Sequence, residues 1–370
     1  MYKDTSHDKI FGKLPDAFEM RDGHRMTDCQ DWNAQREFLL EKTLPLLCGG
    51  MPPKPETVNV QSTYAGAGNY LVTVGTSEKT LSFEMQILRA EKENGPVLIC
   101  GDLFYCNEDV VNEAKKRGIT VVKFNRCVLA GDNYRIDRNH GLYLIYPKLK
   151  FSAIAAWAWG YQRCIDALEI IGVNTENIAI AGHSRGGKTT LWAAATDERI
   201  KFIQSSCSGF AGSGCFRYEQ IFDSEKVKDT DFLDPRCENL VDMLGPVPYW
   251  LGNDGKDISE FIGRENELPF DMHFMKAAVA PRYLFESISV DDIWANPRGT
   301  YITHKAAKEI FKFLGVEDHI VLSCRYGAHA HTFNDFCRFF DFIDCSLQGK
   351  TYLWDNADQM FSYMDIKELF

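Results

Sequence analysis

Short, almost continuously apolar runs recur along most of the chain and alternate with segments of helical periodicity. Such runs predict strands at 97–100, 119–124, 178–181, 200–206, 282–288 and 319–324. Helical spacing follows at 108–117, 151–171, 301–314 and 332–345. Strands without polar positions are buried on both faces, which favours a mostly parallel central sheet flanked by helices.

Two parts of the chain depart from this alternation. Three β-like runs, which predict an antiparallel N-terminal extension of the sheet, lie at 58–64, 70–74 and 81–88. They follow an N-terminal helical arm, 1–56, with an amphipathic helix at 31–40 that Asp31 can cap. Residues 216–275 lack periodicity and are rich in Pro, Gly, Asp and Trp. A loop region this long is typically a lid or a substrate platform, so we predict one domain, 1–370, with a lid-like insertion.

The composition fits one large core and excludes some partners. The 370 residues are 45% hydrophobic and carry a formal net charge of −11. A nucleic-acid backbone would require a basic face, so we expect no nucleic-acid partner. The 12 cysteines are scattered without a C-x-x-C pair. We therefore expect buried thiols, no disulfide framework, no metal site and no cofactor.

The start of the chain bears on the compartment. The first eight residues do not combine a basic start with an apolar run, and no later apolar run is long enough to cross a membrane. We therefore expect a cytoplasmic protein with no membrane partner, although a secreted chain trimmed of its signal would look the same. The sequence does not indicate an oligomeric state.

The glycine-rich turn after the run at 178–181 carries the main chemical signal. Gly182-His183-Ser184-Arg185-Gly186 matches the G-x-S-x-G nucleophile elbow, in which a sharp strand-to-helix turn exposes a serine hydroxyl. Glycines on both sides let the strand and the helix approach without a Cβ between them. The pattern also occurs by chance in plain turns. Its position between a strand and a helix predicts an α/β-hydrolase fold with Ser184 as the nucleophile.

A serine nucleophile needs a general base and a carboxylate that orients the base, and in this fold the chain order is Ser, acid, His. Asp291 and Asp292 follow the predicted strand at 282–288. We favour Asp292 as the acid; the alternative is that these carboxylates only start a helix. His329 and His331 follow the last predicted strand. We favour His329 as the base because it comes first after a glycine turn, and we expect His331 to line the pocket or to cap the last helix.

Acyl transfer also needs hydrogen-bond donors for the oxyanion. The elbow predicts the backbone N–H of Arg185 and an amide near Asp102 and Leu103 in this role, and the Arg185 side chain can add a charged donor. Lys188 lies one helical turn after Ser184. It either reaches a polar group of the substrate or lies in solvent.

Several segments together resemble the glucuronoyl esterase family, carbohydrate esterase family 15, and its bacterial relatives. They lie at 153–160, 182–188, 268–273, 280–282 and 327–331. The resemblance implies a serine esterase with a carbohydrate ester as substrate. It also implies that Ser184 is the nucleophile, that Arg185 helps the oxyanion, that Lys188 contacts the sugar and that Trp294 borders the uronate pocket.

Two positions differ from the family pattern. Many members place the catalytic glutamate before a Ser-Gly pair after the sixth strand, but here the segment 205–209 contains no acid. The acid is therefore expected from Asp291 or Asp292, the position that other members use. A second family glutamate, which binds the sugar, is expected to be missing because the segment 244–250 has none.

Together these observations predict a serine carbohydrate esterase that forms an acyl-enzyme and acts on glucuronate esters. A carbohydrate acetyl esterase is the alternative, and a serine peptidase of the same fold is a more distant one. A non-catalytic binding protein on a hydrolase scaffold is a further alternative. The order of Ser184, the acid and His329 argues against that last alternative.

Overall fold

A computed structural model describes residues 3–63, 68–92, 94–222 and 236–370. Its strands are β1 (Lys9–Ile10), β2 (Thr57–Ser62), β3 (Asn69–Gly75), β4 (Thr80–Leu88), β5 (Val97–Cys100), β6 (Thr120–Phe124), β7 (Ile178–His183), β8 (Ile200–Ser206), β9 (Tyr218–Glu219), β10 (Tyr283–Ser289) and β11 (Ile320–Arg325). Its helices are α1 (Trp32–Cys48), α2 (Glu108–Lys116), α3 (Ala153–Ile170), α4 (Arg185–Thr196), α5 (Leu240–Leu244), α6 (His273–Ala277), α7 (Pro297–Phe313), α8 (Phe333–Leu347) and α9 (Ala357–Met360). Across these ranges, no helix is both long and apolar enough to span a bilayer.

Nine of the described strands form the central sheet, in the order β11-β10-β8-β7-β5-β6-β4-β3-β2. The six strands from β5 to β11 in this sheet run parallel, and β4, β3 and β2 continue it in antiparallel fashion. The predicted fold, a mostly parallel sheet with an N-terminal antiparallel extension, is confirmed. The predicted run at 58–64 ends at Ser62, and residue 64 lies outside the described residues.

Each face of the sheet has its own buried apolar cluster. Ile178 and Ile180 of β7 lie in the cluster that includes α3 and α4, whereas Ala179 and Ala181 lie in the cluster that includes α2 and α8. Because side chains alternate along a strand, these two pairs point to opposite faces of the sheet. The strand is therefore buried on both sides, as its unbroken apolar sequence requires.

The helix bounds differ from the predictions where local capping decides them. Helix α7 begins at Pro297 rather than at 301, because proline is tolerated in the first turn and the Asn296 side chain accepts the Gly299 N–H at 2.9 Å. Helix α1 extends beyond the amphipathic stretch 31–40 as far as Cys48, with Pro45 inside it. Its N-cap residue, Asp31, makes no side-chain capping bond.

The N-terminal arm is attached to the insertion, a contact that no sequence pattern predicted. Strand β1 pairs antiparallel with β9. The buried carboxylate of Asp8 accepts the Ile221 N–H at 2.9 Å and an Arg298 N–H at 2.6 Å. Two-residue strands are too short to show a period, so only the tertiary contact reveals them. Residues 223–235 of the predicted insertion 216–275 lie outside the described residues.

Candidate active site

The elbow residue Ser184 stands between β7 and α4 in a strained backbone conformation. Its φ of 52° and ψ of −121° are unusual for a residue with a side chain, and its hydroxyl makes no helix-capping bond. A Cβ on Gly182 would collide with the Gly186 carbonyl, and a Cβ on Gly186 would collide with the Asp102 carboxylate. The two glycines therefore allow the tight turn that exposes the serine hydroxyl.

The predicted triad residues meet at the carboxyl ends of parallel strands. Ser184 follows β7, Asp292 follows β10 and His329 follows β11. His329 Nδ1 lies 2.6 Å from Asp292 Oδ2. The Asp292 side chain is buried, whereas 37% of the His329 side chain is exposed, and Ser184 and His329 line the same cleft. A buried carboxylate on Nδ1 fixes the tautomer that leaves Nε2 free to accept a proton.

Asp291, the other predicted acid, has a different partner. Its Oδ2 accepts the Gly327 N–H at 2.9 Å, and the Ser289 hydroxyl donates to the Gly327 carbonyl. Both contacts hold the start of the loop that carries His329. Asp291 therefore hydrogen-bonds to the backbone of this loop, whereas Asp292 hydrogen-bonds to the imidazole of His329.

Arg325 holds the same loop from its other side, and no pattern in the sequence marked it. Its guanidinium donates to the carbonyls of Tyr326 at 3.4 Å, Ala328 at 3.3 Å and Ala330, and Nε donates to Asp335 at 3.0 Å. The side chain is 14% exposed. One planar cation thus fixes three carbonyls around His329, which suits it to a positioning role.

Replacing Arg325 by alanine is expected to lower kcat about 10- to 100-fold with little change in KM, because the base would lose its orientation while the sugar contacts stay. Steady-state kinetics on an ester that the protein hydrolyses, with melting temperature as the folding control, check this. Arg325→Lys should recover only part of the loss, since an ammonium cannot reach three carbonyls in one plane. An unchanged kcat in the alanine variant would contradict the positioning role.

His331 does not occupy either of its predicted positions. Thr332, not His331, caps α8, and His331 is absent from the residues lining the cleft. Its ring stacks on Phe336 with 3.9 Å between centroids, and burial lowers its pKa to about 3. The chain turns inward after His329, so His331 packs as a neutral ring on the apolar cluster of α8.

His183, inside the elbow, packs locally. Its Nδ1 lies 3.2 Å from the Ser206 hydroxyl, and its ring centroid is 4.5 Å from that of His329. Burial, and after it the neighbouring imidazoles, hold the His183 pKa far below its usual range. A neutral ring beside His329 adds no competing charge to the site.

The Arg185 side chain is held at the mouth of the cleft. It donates to Asp132 at 3.0 Å and to the Tyr134 hydroxyl at 3.2 Å, and its guanidinium lies 4.7 Å from the Trp250 ring centroid. Burial lowers its pKa, but Asp132 and Tyr134 outweigh burial and raise the pKa overall. The backbone N–H of Arg185 is one of the first of α4, which lack partners within a helix.

The loop after β5 lies next to the elbow, where the second oxyanion donor was predicted. Asp102 Oδ2 accepts the His183 N–H at 3.2 Å, and Leu103 is 42% exposed. This contact keeps the loop against the turn that carries Ser184. That an amide near Asp102 and Leu103 is the second oxyanion donor stays a prediction.

Lys188 is buried and paired with a carboxylate that no sequence motif marked. Its Nζ lies 3.3 Å from Glu238 Oε2 and donates to the Ser208 carbonyl at 2.6 Å. Burial lowers the pKa of Lys188 and raises that of Glu238, while each charge counteracts the effect of burial on the other. A glutamate therefore lines the cleft, although the second family glutamate was expected to be missing. The segment 244–250 has none, but Glu238 precedes it in the aperiodic insertion, where no pattern marks it.

A cleft of about 280 Å³ joins these groups. Its lining residues are Tyr134, Ser184, Arg185, Lys188, Cys207, Ser208, Gly209, Glu238, Asp242, Pro246, Val247, Trp250, Trp294, Ala295 and His329. Trp294, predicted at the pocket border, is 38% exposed at this cleft, and Trp250 is a further indole that the sequence did not single out. Aromatic walls with a few converging charged groups suit a sugar ring that carries several polar groups.

Position 207, where the family's usual glutamate was sought, carries a thiol that faces the triad. Cys207 follows β8 with a φ of 40°, and its Sγ, a carboxylate oxygen of Asp292 and a ring nitrogen of His329 all lie within 4.8 Å of one another. Burial, and after it Asp292, raises the Cys207 pKa well above its usual range. The thiol is therefore neutral, and Asp292 is the carboxylate on His329.

Comparison with known proteins gives a consistent family. The family model described as "Glucuronyl esterase, fungi" matches residues 72–315. 4-O-methyl-glucuronoyl methylesterase 1 of Wolfiporia cocos is 30% identical over 363 residues, 95% of this chain and 83% of that protein. Among solved structures, a carbohydrate esterase family 15 glucuronoyl esterase from Caldicellulosiruptor kristjansonii superposes with a TM-score of 0.79 at 26% identity, over 92% of this chain and 93% of that one. The catalytic domain of the Hypocrea jecorina glucuronoyl esterase gives 0.76 at 27% identity, over 94% and 91%.

Proposed function

The chain belongs to the glucuronoyl esterase family of serine carboxylic ester hydrolases, and we propose that it hydrolyses esters whose acyl group is a glucuronate. One observation carries the substrate class: the buried Lys188–Glu238 pair opens onto the cleft that contains Ser184. The pair offers a donor and an acceptor to the hydroxyls of a sugar acid. The relative from Wolfiporia cocos, named for 4-O-methyl-glucuronoyl methylester cleavage, supports the same class.

The reaction follows the geometry of the triad. Ser184 Oγ attacks the ester carbonyl carbon while His329 Nε2 takes the hydroxyl proton, and Asp292 stabilises the imidazolium. The backbone N–H of Arg185 donates to the oxyanion, and the Arg185 guanidinium adds positive charge beside it. The leaving alcohol takes the proton from His329, which leaves a glucuronoyl ester on Ser184. A water molecule, deprotonated by His329, then attacks that ester; the bond to Ser184 Oγ breaks, Oγ takes the proton back from His329, and glucuronate is released.

The acetyl-esterase alternative fits the cleft less well. An acetyl group would fill little of a 280 Å³ cleft and would give Lys188 and Glu238 no polar partner. Sites built to hydrogen-bond a substrate discriminate strongly against analogues that lack the matching groups. On the acyl side of the ester, a uronate therefore gives the Lys188–Glu238 pair a hydrogen-bonding partner that an acetyl group does not.

A small ester panel tests this proposal. We expect a higher kcat/KM on benzyl or methyl glucuronate than on p-nitrophenyl acetate or acetylated xylan, and a product that is the free uronic acid. Ser184→Ala is the control and should abolish both hydrolysis and labelling by a fluorophosphonate. Activity confined to acetyl esters would replace the proposal by an acetyl esterase. A folded protein that neither hydrolyses any ester nor takes the label would be a binding protein.

A further inference from the structure

The thiol of Cys207 lies beside the catalytic histidine, His329, and its acid, Asp292. We propose that these three residues reversibly bind a thiophilic divalent cation, Zn²⁺ or Cd²⁺. Cys207, Asp292 and His329 each offer one ligand atom, and these atoms all lie within 4.8 Å of one another. Thiolate, carboxylate and imidazole are the ligand types of protein zinc sites. A bound ion would compete directly with the proton-transfer role of His329.

The spacing of the three atoms is close to what a zinc ion needs. With bond lengths of about 2.0–2.3 Å, ligand atoms around a tetrahedral Zn²⁺ lie roughly 3.5 Å apart. The observed limit of 4.8 Å therefore requires a contraction of about 1.3 Å at most. His329, whose side chain is 37% exposed, is the most accessible of the three ligands. Three protein ligands leave a fourth position for water, as in zinc sites that stay open to a cleft.

The charge balance also favours a divalent cation. The Cys207 side chain is buried beside Asp292. On binding, a metal–sulfur bond forms and the thiol proton leaves to solvent. The thiolate and the Asp292 carboxylate then carry two negative charges against the two positive charges of the ion. A coordinated thiolate is stable where an isolated buried one is not.

The ion can reach this position by the route that the substrate uses. Cys207 and His329 both line the cleft of Ser184, although Cys207 and Asp292 are themselves buried. Once bound, the cation occupies a ring nitrogen of His329 and breaks its hydrogen bond to Asp292. Ser184 then has no general base, so the degree of inhibition should follow the fraction of protein that has bound the ion.

Two readouts on tag-free protein test the proposal. Cd²⁺ titration of the Ser184→Ala variant should produce the ultraviolet charge-transfer absorption of a cadmium–thiolate bond at one equivalent, and this readout does not depend on any ester being a substrate. In the active protein, Zn²⁺ should inhibit hydrolysis, a chelator should restore it, and Mg²⁺ should have no effect, since hard cations avoid thiolates.

Matched cysteine variants identify the ligand. Cys207→Ser and Cys207→Ala should remove the charge-transfer band and weaken Zn²⁺ inhibition by at least about 10-fold. Cys127→Ser, at a half-buried cysteine that does not line the cleft, should leave both unchanged. Melting temperatures establish that each variant is folded. Inhibition that is as strong in both Cys207 variants as in the parent would overturn the proposal, as would a Cd²⁺ titration without a thiolate band.

Discussion

Asp292→Asn is expected to lower kcat about 10⁴-fold, whereas Asp291→Asn should lower it less than about 10-fold. Asp292 is the carboxylate on His329, at 2.6 Å, and it is buried. An amide in its place keeps the shape but can hold the imidazole in the wrong tautomer and cannot stabilise the imidazolium. In the Asp291→Asn variant, the side-chain amide oxygen can still accept the Gly327 N–H, so the loop should keep its position. Rates on a glucuronate ester across a range of pH measure the difference.

This pair of variants contains its own control. Both substitutions remove one negative charge from adjacent positions, so a general effect of charge would appear equally in the two. Melting temperatures and fluorophosphonate labelling separate loss of fold from loss of chemistry. If Asp291→Asn lost as much activity as Asp292→Asn, or if Asp292→Asn stayed active, the acid would not be Asp292.

The order of residues along the chain does not decide which of the two aspartates contacts His329. Order along the chain predicted that an acid would follow β10, because the fold places triad residues at the carboxyl ends of strands. It could not separate neighbours that differ only in the direction of the side chain after a turn. That direction depends on contacts with the loop after β11, 36 positions later, where Asp291 meets Gly327.

Glu238 and Cys207 are two residues of the site that the sequence pattern did not single out. Glu238 meets Lys188 across 50 positions of sequence, from an insertion that has no regular pattern. Cys207 gave no chemical signal because a scattered cysteine usually indicates only a buried side chain. The apolar strands were predictable because burial on both faces dictates each of their residues. Single polar contacts across the fold leave no comparable period in the sequence.

Lys188→Met is expected to lower the free energy of unfolding by about 3–5 kcal/mol, the typical cost of removing one partner of a buried ion pair. The Lys188 and Glu238 side chains are 3% and 8% exposed, so the remaining carboxylate would keep little solvation. Denaturant unfolding measures the change. Lys188→Met combined with Glu238→Leu should recover much of the loss, because the second change removes the unpaired charge. Both variants should also lose binding of a glucuronate ester, since neither retains the pair.

A lysine on the protein surface supplies the comparison for this stability effect. The Lys116 side chain on α2 is 75% exposed, and Lys116→Met should change the unfolding free energy little, because its surface ion pair with Glu113 is weak and Arg117 still pairs with that carboxylate at 2.8 Å. If Lys188→Met were no more destabilising than Lys116→Met, the pair would not be a buried ion pair in solution. If the double variant regained stability and also bound the ester, the sugar contact assigned to Lys188 and Glu238 would be wrong while the electrostatic argument held. Stability and binding therefore test the two halves of the assignment separately.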